Sequence, residues 1–503
     1  MNEVYLLFYL ARNSVLKMLH LNRNRISLLL THSIIHLKLN FPRYFRIIQL
    51  LKLIQKLLLI LFLILLARSE GSFRRLEIED SFNTGFMMSH NIFGIFSAQM
   101  YQTVSSKLLA EIALLFPLQS LPRVSFYLAT SFSLVCLALI QIVISRNTGS
   151  NRTAFGAVVL IALIPAPLNG VQGFVYGVYW IQLLLFVCLA ATPQVLFPPI
   201  ARRIILVFGA VTSMSHPAAG IVGLYLLVIS FFVSGQERKL KIRLGAATCI
   251  GLAVQIVAYF NRQSQLAYLG TWSPNTPHEI DAFRLLSDAG ASEIRSSKGI
   301  LNPDLIGNLF GSLKFLVSSV FPEPWNNQIL QNRSFISNLI FMAVPLLIVL
   351  APLIVTQARS FRRHQVDSSN FARRLFLLTM TVVGFQYLIL GSLDKFQHAM
   401  LFVNTVWIVV AIGVTASFTS KLKFLLLTSL VAAVVLMPAI PQHFRDGRLR
   451  GNENAWKVGL SRAVKECNSS DPNEVVVIIQ EDGPVGDRSA PFFLRCSVLL
   501  DNI

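Results

Sequence analysis

Long apolar runs recur along the chain, separated by short polar stretches that hold much of its positive charge. The runs fall near residues 48–67, 124–145, 154–166, 174–192, 204–214, 218–234, 244–260, 336–356, 375–392, 399–418 and 424–440. Most approach the roughly 20 apolar residues a helix needs to cross a ~30 Å hydrocarbon core, and only 204–214 is markedly short. The pattern predicts an all-α polytopic membrane protein of about eleven transmembrane helices.

The polar stretches orient these spans. With the amino terminus in the cytoplasm, the inside loops are 146–153, 193–203, 235–243, 357–374 and 419–423. They hold fifteen Lys and Arg against two acids, Glu237 and Asp367. The short outside loops hold almost none: 167–173 is uncharged, 215–217 offers only His216, and 393–398 pairs Asp394 with Lys395. A Lys/Arg excess confined to one set of loops is the ordinary determinant of membrane orientation. The carboxy terminus is therefore expected outside, and a bacterial plasma membrane is the expected location.

Composition agrees with this class. Of 503 residues, 54% are hydrophobic and 14% charged, where a soluble domain carries about a quarter charged. The net charge of +20 invites a nucleic-acid partner, but the basic residues form no stripe interleaved with aromatics, so none is expected. Residues 1–46, with seven Lys/Arg and one acid, read as a cytoplasmic or interfacial segment facing membrane lipid. Residues 47–440 form the transmembrane module.

Three predicted outside segments are long. Residues 68–123 begin with an acidic stretch and continue into an apolar, amphipathic region, Phe93–Phe116. Residues 261–335 balance six acids with six bases. Residues 441–503 combine a helical pattern, Trp456–Cys467, with the β-branched run VVVII at 475–479, which predicts a small extracytoplasmic α/β tail domain. A domain that small often needs a covalent staple. Cys467 and Cys496 are the two cysteines in polar outside sequence, and a disulfide between them is expected.

The acidic stretch reads RRLEIEDSFNTGF, Arg74–Phe86. Glu77, Glu79 and Asp80 stand a dozen residues beyond the first span, at headgroup depth, in a chain otherwise poor in acid. They are either an ordinary solvated loop or a base held close to the bilayer.

This layout resembles the GT-C superfamily of membrane glycosyltransferases. Its marks are a cytoplasmic amino end, a first span, and a long outside loop bearing an acid and amphipathic helices. Tight hairpins follow, at 154–192 and 204–234, and then the loop at 261–335. The likeness spans about residues 48–440. Two departures stand out: Glu77-Ile-Glu79-Asp80 replaces a strict Asp-x-Asp, and the WWD-type acceptor motif of oligosaccharyltransferases is missing.

The resemblance implies transfer of a sugar from a polyprenyl-phosphate donor to a lipid- or envelope-linked glycan on the extracytoplasmic face. Such chemistry needs a base for the acceptor hydroxyl, which assigns Asp80 first and Glu79 second. A divalent metal such as Mg²⁺ or Mn²⁺ bridging the two is a possible cofactor. Lys395, Gln397 and His398, between the ninth and tenth spans, would hold the donor phosphate. Asn169, Gln172, Tyr176 and Trp180 would line a sugar pocket or form an interfacial aromatic belt. His216, in SMSHPAAG, interrupts an apolar stretch and is expected to cap or pack ahead of binding substrate; His90 is a further cavity candidate.

Spans two to eleven are almost free of charge, which argues against an ion-coupled transporter. The alternatives are an envelope glycan polymerase or ligase relying on outside Arg and His, a lipid-carrier flippase or transporter, and a non-catalytic assembly subunit.

Overall fold

A computed structural model describes Lys56, Met88 and residues 103–163, 178–260, 305–320, 366–390, 393, 396–417, 455–478 and 492–503. The chain divides into two compact units, Met1–Phe62 and Leu63–Ile503, and all packing below lies within the second.

Twelve helices and one hairpin make up the described residues. A short helix, α1 (Val104–Ala113), is followed by a 3₁₀ turn and then by α2 (Leu121–Thr148) and α3 (Asn151–Leu163). Next come α4 (Val178–Ala191), α5 (Pro199–Ser215), α6 (Pro217–Ser230) and α7 (Gly235–Phe260). Then follow α8 (Leu305–Ser318), α9 (Val366–Leu390) and α10 (Phe396–Ser417). The segments Leu118–Thr148, Gly235–Ala258 and Asn370–Ile389 are long and apolar enough to cross a membrane. Four shorter apolar helical segments accompany them.

These helices bury one face and keep the other equally apolar. In α2, Phe126, Cys136, Leu137, Ile140 and Ile144 are buried, whereas Val135, Leu139 and Ile142 are exposed. Similarly, α5 turns Ile200, Ile204 and Val207 outward, and α7 exposes Ile250, Ile256 and Val257. Water would penalise such a surface; lipid does not.

Small residues set the closest approach. A Cβ added at Gly251 of α7 would lie 2.6 Å from the Ala210 carbonyl of α5 and 2.7 Å from Ser213 Cβ. One at Gly223 of α6 would lie 2.9 Å from Thr248 Cβ of α7. Without a hydrophobic driving force between helices, such backbone proximity supplies the dispersion contacts that hold α5, α6 and α7 together.

The expected short run at 204–214 belongs to a longer helix. Pro199 takes the first helical position, where its missing N–H costs no intrahelical bond, and α5 runs on over the polar Arg202–Arg203 pair. The turn before it is gripped from both sides. Glu237, at the start of α7, accepts hydrogen bonds from the amides of Gln194 and Val195, each at 3.1 Å. Arg202 donates to the carbonyls of Gln194 (3.2 Å), Phe197 (2.7 Å) and Val195 (3.1 Å). Lys241, one turn along α7, pairs with Glu237 at 3.4 Å.

The tail consists of α11 (Ala455–Cys467), β1 (Val475–Ile478), β2 (Phe492–Arg495) and α12 (Cys496–Asp501). The strands pair antiparallel with Val475 opposite Arg495 and Ile478 opposite Phe492. A two-stranded ribbon is marginal alone. Here Trp456 and Leu460 of α11 cover it, and the core is completed by Ala113, Leu118 and Leu121 from the start of the bundle. The Trp456 indole donates to the Leu118 carbonyl at 2.7 Å. A disulfide joins Cys467 to Cys496. The tail thus shares its core with α1 and α2.

Candidate functional site

Polar residues gather where α4 begins, α5 ends and α6 begins. His216 separates the last two. Its backbone is extended and Pro217 opens α6, so the break falls between two helices that would otherwise be continuous. A helix break at membrane depth leaves amides and carbonyls that lipid cannot satisfy. Both sides are closed internally. His216 Nδ1 accepts the Ala218 N–H at 3.1 Å, capping α6. Gln255 of α7 donates to the carbonyls of Ser213 (3.2 Å) and Met214 (2.7 Å), closing the end of α5. An accepting Nδ1 places the proton of the neutral ring on Nε2.

Aromatic rings pack around that imidazole. Tyr179 stacks on it with centroids 4.9 Å apart and planes at 24°, and Trp180 lies 4.5 Å away. One turn further, the Gln182 amide donates to Thr212 Oγ at 3.1 Å. Three buried polar atoms here have no hydrogen-bond partner among the described residues: Trp180 Nε1, Gln182 Oε1 and Ser213 Oγ.

The amino end of α1 lies against this cluster. Ser105 donates its backbone N–H to Ser215 Oγ at 3.1 Å, and the two hydroxyls meet at 2.8 Å. Thr103, Ser105, Ser106 and Lys107 are all buried. Desolvation brings the Lys107 ammonium down to about 8 from its ordinary 10.5. Lys107 is no sequence-level candidate. Its signal is a lone cation within the apolar region 93–116, in the run TVSSK.

A second region of the same unit combines α8 with the junction of α9 and α10. Leu316 and Val320 pack with Tyr387, Leu393, Ala399 and Val403, and the Leu393 amide donates to Ser312 Oγ at 2.9 Å. Part of the expected 261–335 loop is therefore a helix seated beside Leu393 and α10. Gln397 and His398 stand in the first turn of α10.

Of the residues singled out in the sequence, Trp180 and His216 come together, with His216 in the capping and packing role. Glu79, Asp80, His90, Asn169, Gln172, Tyr176 and Lys395 lie outside the described residues. Among the described residues no group of three His, Cys, Asp or Glu side chains is arranged to hold a metal.

No family model and no curated protein matches this chain. Among solved structures it is similar to the oligosaccharyltransferase AglB of the archaeon Archaeoglobus fulgidus in complex with an inhibitory peptide and a dolichol-phosphate. That likeness has 11% identity and a TM-score of 0.45, over 84% of this chain and 58% of that one. The oligosaccharyltransferase from the same organism in complex with Zn and sulfate gives 14% identity and a TM-score of 0.47, over 83% of this chain and 56% of that one. Its apo form gives 10% and 0.45, over 84% and 58%. The chain spans less than two thirds of the length of these proteins. Likeness at these values assigns no activity.

Proposed function

We propose that the protein is a GT-C-type membrane glycosyltransferase that takes a sugar from a polyprenyl-phosphate donor and passes it to a lipid- or envelope-linked glycan. One observation carries the reading. Helices with lipid-compatible outer faces enclose, at one end, a buried polar and aromatic cluster abutted by a short helix with a buried lysine. Charge supports the orientation: Arg146, Arg152, Arg202, Arg203 and the basic start of α7 occur at the opposite helix ends. The His216 end is then extracytoplasmic.

In the proposed reaction an acceptor hydroxyl oxygen bonds to the anomeric carbon of the donor sugar. The bond from that carbon to the phosphate oxygen breaks, and its electron pair leaves with the polyprenyl phosphate. The hydroxyl proton passes to the Asp80 carboxylate, with Glu79 next to it in sequence; if the reaction needs a divalent metal, these two carboxylates would hold it and it would supply charge stabilisation for the phosphate. Lys395, Gln397 and His398, together with Lys107, supply cations and donors for the departing phosphate. The 261–335 segment and the tail shape the acceptor side.

The test uses detergent-purified protein, a panel of radiolabelled undecaprenyl-phosphate sugars and an envelope lipid extract as acceptor. Wild type should release undecaprenyl phosphate from one donor. Asp80→Asn should lower the rate by roughly 10²–10⁴-fold, the usual contribution of a positioned base. Glu79→Gln should cost less unless a metal bridges both acids. Glu77→Gln should be nearly silent. No release from any donor, or full activity in both Asp80→Asn and Glu79→Gln, overturns the assignment.

A further inference from the structure

We infer that the first turns of α4 and the last turn of α5 bind an uncharged, hydroxyl-rich group through Trp180 Nε1, Gln182 Oε1 and Ser213 Oγ. Resting on the glycosyltransferase reading, this assigns them to the sugar of the lipid-linked donor.

Buried polar atoms in folded proteins nearly always have a partner, because desolvating one without replacement destabilises the fold. Of the seven buried side-chain atoms that lack one among the described residues, three lie here, at positions 5%, 1% and 0% exposed. They occupy the first turns of α4 and the last turn of α5. Trp180 packs on His216, Gln182 holds Thr212, and Thr212 precedes Ser213. The other four, on Gln141, Gln386, Asn404 and Trp407, lie on α2, α9 and α10.

Ser213 is the most telling of the three. Hydroxyls inside helices usually bond the carbonyl four residues back. Its neighbours do so: Thr212 to Phe208 O at 2.6 Å and Ser215 to Val211 O at 2.8 Å. Thr248 on the facing helix bonds Leu244 O at 2.8 Å. Ser213 Oγ has an equivalent acceptor one turn back and leaves it unused, so its rotamer keeps the hydroxyl available to something else.

The chemistry of the set selects the ligand class. It offers one donor only (the indole N–H), one acceptor only (the amide oxygen) and one group that does both. No charge is among them, so they do not define a phosphate site. Each sugar hydroxyl both donates and accepts, and the aromatic rings of Tyr179 and Trp180 suit the C–H faces of a pyranose. Lys107, on the helix whose Ser105 holds Ser215, lies in the neighbouring element where a phosphate attached to that sugar would have its counter-charge.

The test compares full-length Trp180→Phe, Gln182→Leu and Ser213→Ala with wild type in detergent. Equilibrium binding is measured for undecaprenyl-phosphate-linked glucose, mannose and N-acetylglucosamine, with undecaprenyl phosphate as the sugar-free arm. Each substitution should weaken the best sugar-linked donor by about tenfold, the effect of losing one well-made hydrogen bond. The sugar-free lipid should bind within about twofold of wild type, and the unliganded thermal midpoint should hold or rise. Unchanged donor binding with a raised midpoint means idle or water-filled atoms and overturns the inference. So does a wild type that binds no sugar-linked donor better than undecaprenyl phosphate. If wild type transfers sugar while the three variants bind as it does, only this site fails. If wild type neither binds nor transfers, the glycosyltransferase reading fails too.

Discussion

Ser105 and Ser215, 110 residues apart, hold each other through hydroxyls 2.8 Å apart. The proton arrangement follows from the rest of the site. Ser215 spends its one O–H on the Val211 carbonyl at 2.8 Å, so the Ser105 hydroxyl must be the donor between the pair. Ser215 Oγ then accepts twice, from the backbone N–H and the side chain of Ser105. This links α1 to the His216 break.

Ser215→Ala should therefore strand the Ser105 amide in a buried position. The expected loss is roughly 1–3 kcal/mol, the usual penalty for an orphaned buried donor. Limited proteolysis should show α1 cut earlier than in wild type, while Ser215→Thr should retain most of the protection. Equal protection in Ser215→Ala would mean that other contacts hold α1.

Lys107 makes stability depend on alkaline pH in a defined direction. Its folded value of about 8 lies below the ordinary 10.5, so the unfolded chain binds more protons between those values. Stability should then rise with pH across that window. Below about 8 the burial penalty is fully present, and above 10.5 it is gone. Lys107→Met should flatten the rise, whose full span corresponds to roughly 3 kcal/mol. Thermal melts from pH 7 to 10 on both proteins give the comparison.

Glu237 is the acceptor for two amides and the counter-charge of Lys241, with side chains 14% and 7% exposed. Removing one member of a mostly buried pair leaves the other uncompensated. Glu237→Gln should cost on the order of 3 kcal/mol. Glu237→Gln combined with Lys241→Met should recover part of that loss. A double variant no more stable than the single would assign the whole effect to the turn amides.

The Cys467–Cys496 bridge closes a separation of 29 residues, which corresponds to about 3–4 kcal/mol of unfolded-state entropy. Cys467→Ser with Cys496→Ser should release the tail to proteolysis well before the bundle. Mass spectrometry of unreduced protein should show both cysteines linked, with Cys136, Cys188 and Cys249 as free thiols. A tail equally resistant without the bridge would place its stability in the core shared with Leu118 and Leu121.

Much of this architecture is legible as hydrophobic runs and turn residues. The helices within 121–163 and 178–260 follow the apolar runs, and the tail's helix and first strand follow Trp456–Cys467 and VVVII. The inward faces are not legible in the same way. In a soluble helix a polar face marks the outside, but here Val135 is exposed and Leu137 buried, and both are apolar. Gln182 and Ser213 therefore carry no periodic signal. Charge counting had a similar blind spot. It treats Arg202, Glu237 and Lys241 alike as loop charges, whereas the fold uses them to hold the turn before α5. Only proximity in space distinguishes an orienting charge from one that closes a turn.

The tail's attachment to the start of α2 imposes an order in time. Trp456 reaches Leu118 across 338 residues, so the apolar patch around Leu118 and Leu121 is made long before its cover. At roughly 10 residues per second, that interval is on the order of half a minute. Throughout it, the nascent chain displays a sticky surface beside helices already in the bilayer. A ribosome stalled before residue 456 would leave that surface bare, and the cell's proteases would have an unfinished chain marked for them by its own exposed patch.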